Sequence, residues 1–282
     1  MDEVVVLTLD EGCGTRAPVL ALRDALAAAG AAVEVVDAAS DPQIDAVIAP
    51  GGRRLVVAVA ADGQLRAVLR RLVRWYAPPP RSRPDDLPAG RTVPDLPPVG
   101  VLPLGPAGEG DTASRLGLPR APAAVADAVL AGRARRLDLL RTDAGGVTLD
   151  GALFGTTGAG GEAVRWHARV EVDDAVLTDG SDMLLAGTIA NGTGYSTVDG
   201  LPLVTPDPAD GVLDVAVAVP VLTRRLLRAP AVRVEVRRTR GRAVSITPLD
   251  GDLPYLDDGV AAELGRTRSW WVESGAWAVY VS

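Results

Sequence analysis

An α/β domain followed by a β-sandwich is the fold class this sequence predicts, and two observations predict it. Over residues 1–137, apolar strand runs alternate with segments of helical period, as in a parallel sheet covered by helices. Beyond about residue 138 the apolar runs are nearly all strands with little helix between them, as in an antiparallel sandwich. The expected domains are 1–137 and 138–269, and the last segment, 270–282, could return to the first. A chain of 282 residues is long enough for two such cores.

VVVLTL at 4–9 reads as a buried strand, and PVLALRDALAAAG at 18–30 as an amphipathic helix stopped by Gly30. VEVVDA at 33–38 is a second strand, AVIA at 46–49 a short third one, and LVVAVA at 55–60 a fourth. LRAVLRRLVRWY at 65–76 has the helical period. So many prolines fall in 77–98 that neither a helix nor a central strand is tenable, so this reads as a long surface loop. A strand at 99–104 and a helix over 121–136 complete the first part. In the second part, VRWHARVEV alternates with period two, which places Arg165, His167, Arg169 and Glu171 on one face and Trp166, Ala168, Val170 and Val172 on the other. Strands follow at 183–190, 212–219, 232–237, 243–247 and 277–282.

Composition excludes several chemistries. All 29 basic residues are arginine, so Schiff-base lysines and lysine-centred phosphate loops are absent. One histidine and one cysteine cannot build a four-ligand zinc site or an internal disulfide. The strand pattern already accounts for His167 as a solvated surface residue. A net charge of −7 argues against general nucleic-acid binding. The acidic start MDEVVV is unlike a signal peptide, and no apolar run has the ~20 residues of a membrane span, so a cytoplasmic location is expected.

The segment AADGQ at 60–64 is the most informative. A strand leads into an Asp-Gly turn and a helix leads out, which is how backbone N–H groups converge on a nucleotide phosphate. Such loops normally carry glycines so that the backbone can approach closely, yet Ala60 and Ala61 stand there. A second glycine-rich turn, GPAGEGD, covers 105–111.

Together with VGVLPLGPAGEGDTASRLGLP (99–119), MLLAGTIANG (183–192), LPLVTPDPADGVLDV (201–215) and LPYLDDGV (253–260), LVVAVAADGQLRAVL resembles the diacylglycerol kinase catalytic family, the bacterial soluble lipid kinases in particular. The resemblance implies a nucleotide-binding α/β domain of the NAD kinase/diacylglycerol kinase type, then a β-sandwich, with the last strand returning to the first domain. It implies ATP and Mg²⁺ as cofactors. Nucleotide contacts would fall to Ala60, Ala61, Asp62, Gly63, Gln64, Gly105, Gly108, Gly110 and Asp111, and the metal to Asp210. Departures are evident. Gln64 replaces the family threonine, Pro106 removes an N–H, and the general base of the family's D-G-E falls on Val260. Asp257 or Asp258, or else Glu263, would have to act as the base instead.

Partner expectations are a lipid or hydrophobic alcohol substrate, peripheral membrane contact, a homodimer and no nucleic acid. Arg66, Arg70 and Arg74, or Arg224, Arg225 and Arg228, could meet anionic headgroups, although such rows are more often solvated faces. Trp270, Trp271 and Trp277 are interfacial anchors or, on the commoner pattern, core residues. Two functions stay open: an active ATP- and Mg²⁺-dependent lipid kinase, and a pseudokinase that only binds a small molecule or lipid.

Overall fold

A computed structural model describes residues 2–10, 12–49, 52–79, 82–105, 111–155, 165–225 and 228–282, with the side chains of 222–232 also outside that description. The chain divides into two compact units, Met1–Leu137 with Gly275–Ser282, and Asp138–Ser274.

The first unit runs β1 (Glu3–Thr8), α1 (Ala17–Ala28), β2 (Ala32–Asp37), α2 (Asp41–Ile48), β3 (Arg54–Val59), α3 (Asp62–Tyr76), β4 (Val99–Pro103), α4 (Thr112–Arg115) and α5 (Pro122–Ala131). Its strands lie parallel in the order β2-β1-β3-β4, with Val6 opposite Val35 on one side and Val56 on the other. The chain steps outward from β1 to β2, then crosses back to β3. The order therefore reverses between β1 and β3, and in open α/β sheets ligands bind beyond the carboxyl ends of the strands at such a point. Val19, Leu22 and Leu26 of α1 and Val125, Ala128 and Val129 of α5 bury one side of the sheet, together with the single cysteine, Cys13.

Two expectations for this unit are corrected. AVIA at 46–49 ends helix α2 and is not a strand. Ser40 at the N-cap and Pro42 in the first turn start that helix, and Ile44 and Ile48, four residues apart, are its buried stripe. The helix expected over 121–136 stops at Gly132, whose φ of 71° is a left-handed cap, and the arginines after it begin β5 (Ala134–Thr142). The proline-rich segment is anchored as well as looped, since Leu87, Val93 and Leu96 are buried and the Leu96 N–H donates to Ala276 O (2.8 Å).

The second unit continues from β5 through β6 (Val147–Thr148), β7 (Gly151–Phe154), β8 (Ala168–Val172), β9 (Ala175–Asp179), β10 (Ala186–Ala190), β11 (Thr197–Val198) and β12 (Leu201–Pro202). It then runs through β13 (Leu213–Arg225), β14 (Arg228–Gly241), β15 (Ala243–Pro248), β16 (Leu253–Asp257), β17 (Val260–Leu264) and β18 (Arg268–Tyr280). One antiparallel sheet has the order β14-β13-β10-β7-β16-β17, and a second set is ordered β18-β15-β8-β9. Val170, Val172, Val244, Ile246 and Trp270 from the second set share one core with Phe154, Val215, Val217 and Tyr255 from the first, which makes this unit a sandwich. Phe154 stacks on Tyr255 (5.1 Å between centroids) and meets Trp270 edge-on (5.8 Å). Trp270 and Trp277 are buried core residues. Among the described residues, no helix is long and apolar enough to cross a membrane.

The final strand changes unit along its length. Its first residues belong to the sandwich, while Gly275–Tyr280 lie in the first unit, where Val279 pairs in parallel with Val99 of β4.

Candidate functional site

In the first unit the carboxyl ends of β3 and β4 converge. A cavity of about 270 Å³ opens there, lined by Val59, Ala60, Ala61, Asp62, Pro103, Gly105, Asp111, Ala113 and Arg120. Five of the expected nucleotide-contact residues thus share one cavity, and Gly63 and Gln64 follow in the first turn of α3. Gly108 and Gly110 lie outside the described residues.

Asp62, at the first position of α3, ties the two loops together. Its Oδ1 accepts the Thr112 N–H at the start of α4 (3.0 Å), and its Oδ2 accepts Arg115 Nη2 (2.7 Å). Both partners are mostly buried, with the Arg115 side chain 10% exposed and that of Asp62 20%. Breaking such a pair costs more than breaking a surface one, because the survivor keeps its desolvation penalty. Asp111 caps α4 by accepting the Ser114 N–H (2.9 Å). Arg120 binds both oxygens of Asp111 (2.7 Å each) and donates to Gly105 O (3.1 Å). Arg120 was not singled out from the sequence, and Arg115 was noted only for its spacing from Asp111, with no role. The signal available was their spacing from Asp111 in DTASRLGLPR.

Gln64 departs furthest from a phosphate loop. Its Oε1 accepts the N–H of Ala60 (2.7 Å) and of Ala61 (3.4 Å), while its Nε2 donates to Asp10 Oδ2 beyond the end of β1 (2.7 Å). The amide orientation follows from chemistry, since only the oxygen can face two N–H donors and only the nitrogen can face a carboxylate. The backbone donors through which ATP phosphates would be cradled are occupied by this side chain. This geometry does not fit a phosphate at Ala60 and Ala61.

The remaining candidates belong to the sandwich unit. Asp258 is buried and accepts the N–H groups of Leu149 (2.7 Å), Asp150 (2.9 Å) and Gly151 (3.3 Å). Asp257, also buried, accepts Thr148 Oγ1 (2.8 Å). Both aspartates expected to act as a base are therefore committed to the junction between β6 and β7. Around them, Asn191 Nδ2 donates to Asp138 O (3.1 Å) and Leu149 O (2.7 Å). The Gly259 N–H donates to Tyr195 Oη (2.6 Å), and burial raises the Tyr195 phenol. Gly192 sits so close that a Cβ there would lie 2.0 Å from Asp150 Oδ1. The Asn-Gly pair at 191–192 was the one sequence signal of this junction. Val260 opens β17 and is exposed, and Glu263 lies farther along the same strand, also exposed.

Asp210, the expected metal ligand, is ion-paired with Arg240 Nη2, and Arg240 Nε reaches Asp214 Oδ2 (3.3 Å). Burial raises the Asp214 carboxyl and Arg240 opposes that shift. The Asp210 carboxylate is taken by a guanidinium, so its surroundings do not fit Mg²⁺. Among the described residues, no group of three or more His, Cys, Asp or Glu side chains is arranged to hold a metal ion.

His167 and, in the arginine row, Arg70 also have definite partners. His167 Nδ1 lies 2.7 Å from Asp250 Oδ2, and the Asp250 carboxyl is held down by that contact. Arg70 pairs with Asp41 (2.9 Å), and the neighbouring Arg71, which is buried, pairs with Asp41 and Asp45.

With this geometry in place, residues 12–142 match the family model for the diacylglycerol kinase catalytic domain. The chain is diacylglycerol kinase-like. A comparison with curated proteins found no match in sequence. A diacylglycerol kinase structure from Bacillus anthracis str. Sterne is similar with a TM-score of 0.67 at 14% identity, over 100% of this chain and 97% of that one. A second structure from that organism, of a proposed diacylglycerol kinase, gives a TM-score of 0.69 at 14% identity with the same coverage. At that identity the structures establish the fold of this diacylglycerol kinase-like chain: an α/β unit, a β-sandwich, and a last strand that returns to the first unit.

Proposed function

We propose that this diacylglycerol kinase-like chain is a pseudokinase, a binding protein for a lipid or other small hydrophobic molecule that does not transfer phosphate. The surroundings of the D-G-E position carry this reading. Valine stands at 260, where the resemblance implies the glutamate base, and the carboxylate of Asp258 two residues earlier accepts three buried N–H groups. A general base contributes ~10²–10⁴-fold to such a reaction, and a buried carboxylate already held by three backbone donors has poor access to a substrate proton. The arginine held by Asp210 supports the same reading, because Mg²⁺ would have to displace it. A lipid ligand follows from the family, and a peripheral approach to a membrane belongs with it. In favour of an active kinase is the Asp62–Arg115 pair, which keeps the two loops of the first unit joined.

The test incubates the purified protein with labelled ATP, Mg²⁺ and vesicles of extracted lipid containing diacylglycerol. The expected result is no labelled lipid, with lipid retained by the protein on flotation or after extraction. Label in any lipid that depends on this protein would sink the pseudokinase reading.

A further inference from the structure

Gln64 occupies a particular place in the first unit. The strand order reverses between β1 and β3, so a ligand crevice is expected beyond their carboxyl ends. Asp10 lies just past β1, and Ala60 and Ala61 lie just past β3. The Gln64 side chain spans these two points, with its amide oxygen on the Ala60 and Ala61 N–H groups and its amide nitrogen on the Asp10 carboxylate. We propose that Gln64 is an internal ligand that fills the phosphate position of the first unit, so that its side chain decides whether this crevice admits a phosphorylated ligand. The proposal concerns ligand entry and deepens the pseudokinase reading on which it rests, since a crevice closed to phosphate in the wild type cannot serve ATP.

Two further observations bear on it. At α2 the chain uses the same device: Gln43 Oε1 accepts the Ala39 N–H (2.7 Å). In both helices a glutamine at the third helical position reaches back to the N–H of the residue before the N-cap, a near relative of the capping box, so the contact is one that this chain forms readily. At α3 the same cap falls at the switch point, where the freed donors would otherwise face a ligand. The second observation is charge. A phosphate approaching Ala60 would displace a neutral acceptor that matches it in hydrogen bonding, and would then face the Asp10 carboxylate now without its amide partner. Exclusion is therefore both by occupancy and by charge. Asp10 is exposed and Gln64 half-buried, so removing either side chain leaves no large cavity.

The experiment measures binding of inorganic phosphate and of ADP, without metal, by calorimetry and by thermal shift. It compares the wild type with Gln64→Ala, Gln64→Ser and Asp10→Asn. The expected result is no binding by the wild type up to millimolar ligand, and ADP affinity at least tenfold tighter in Gln64→Ser and Gln64→Ala. Asp10→Asn, which removes the charge but leaves Gln64 in place, should gain less than either. Equal ADP affinity in the wild type and both Gln64 variants would overturn the proposal, and so would failure of both folded variants to bind. Serine keeps a small polar side chain in the first turn of α3 that is too short to reach Asp10, so it keeps the test open if the alanine variant is too unstable to assay. These readouts do not involve phosphate transfer: folded Gln64 variants that gain no ADP binding would sink the role of Gln64 alone, whereas ADP binding with lipid phosphorylation by the wild type would sink both readings.

Discussion

Replacing Asp258 by alanine should destabilise the sandwich unit severely. The carboxylate accepts hydrogen bonds from Leu149, Asp150 and Gly151 at 2.7, 2.9 and 3.3 Å, all buried. Each donor left without a partner costs ~1–3 kcal/mol, and the longest of the three is the weakest, so the hydrogen-bond loss sums to about 3–6 kcal/mol. Asp258 also has a φ of 48°, a left-handed conformation that aspartate and asparagine tolerate better than alanine and that adds about 1 kcal/mol. A domain of ordinary stability has ~5–15 kcal/mol in total, so the variant should sit near its folding threshold. Asp258→Asn keeps the left-handed preference and one acceptor oxygen, and should lose about 1–2 kcal/mol. Urea unfolding followed by tryptophan fluorescence reads both, since Trp166 and Trp270 are buried in this core. An alanine variant within about 1 kcal/mol of the wild type would refute a structural role for this carboxylate.

Tyr195→Phe removes the acceptor of the Gly259 N–H, and the same urea assay should show a loss of about 1 kcal/mol. Gly192→Ala should express poorly or unfold at much lower urea, because a Cβ there meets the Asp150 carboxylate. In the wild type, EDTA and millimolar Mg²⁺ should leave the melting temperature unchanged, because Arg240 already holds the Asp210 carboxylate. The Arg71–Asp45 pair predicts a pH dependence. The hydrogen bond from Arg71 holds the Asp45 carboxyl below its ordinary value of 3.8, so its stabilisation is present above that pH and is lost as pH falls through the lowered value. The stability difference between the wild type and Arg71→Gln should therefore be full near neutrality and shrink below about pH 4. A difference that stays constant down to pH 2 would contradict this.

Much of the fold was legible because periodicity reports burial. VVVLTL, LVVAVA and VGVLPL are continuous apolar runs and became the parallel strands β1, β3 and β4. VRWHARVEV alternates, and Trp166, Val170 and Val172 are indeed buried in the sandwich core. The failures were local in origin. Four residues, AVIA, cannot show a 3.6-residue period, and the signals that settle α2 (Ser40, Pro42 and Ile44) lie upstream of that window. At 132–136 the arginines extend a helix by propensity, whereas Gly132 and strand pairing end it. The first-unit site was readable as a strand-turn-helix, with Asp62 and Asp111 on its wall. What Gln64 does there was not readable, because it depends on Asp10, 54 residues away. Likewise, nothing in LPYLDDGV reveals that Asp258 is consumed by backbone 107–109 residues earlier in the chain.

The last strand also sets an order on folding. Ala276, Trp277, Ala278 and Val279 are buried and belong to the first unit, and the Val281 N–H donates to Arg133 O (3.0 Å). During synthesis the usual sequence is N-terminal domain first. Here the first unit cannot close its sheet until residues 275–282 emerge, after the whole of 138–274. The sandwich is thus the unit free to fold first, and until then the open side of β4 is an unpaired strand edge of the kind that invites mispairing. A chain that stops at Ser274 should have a protease-sensitive first unit and a resistant second one.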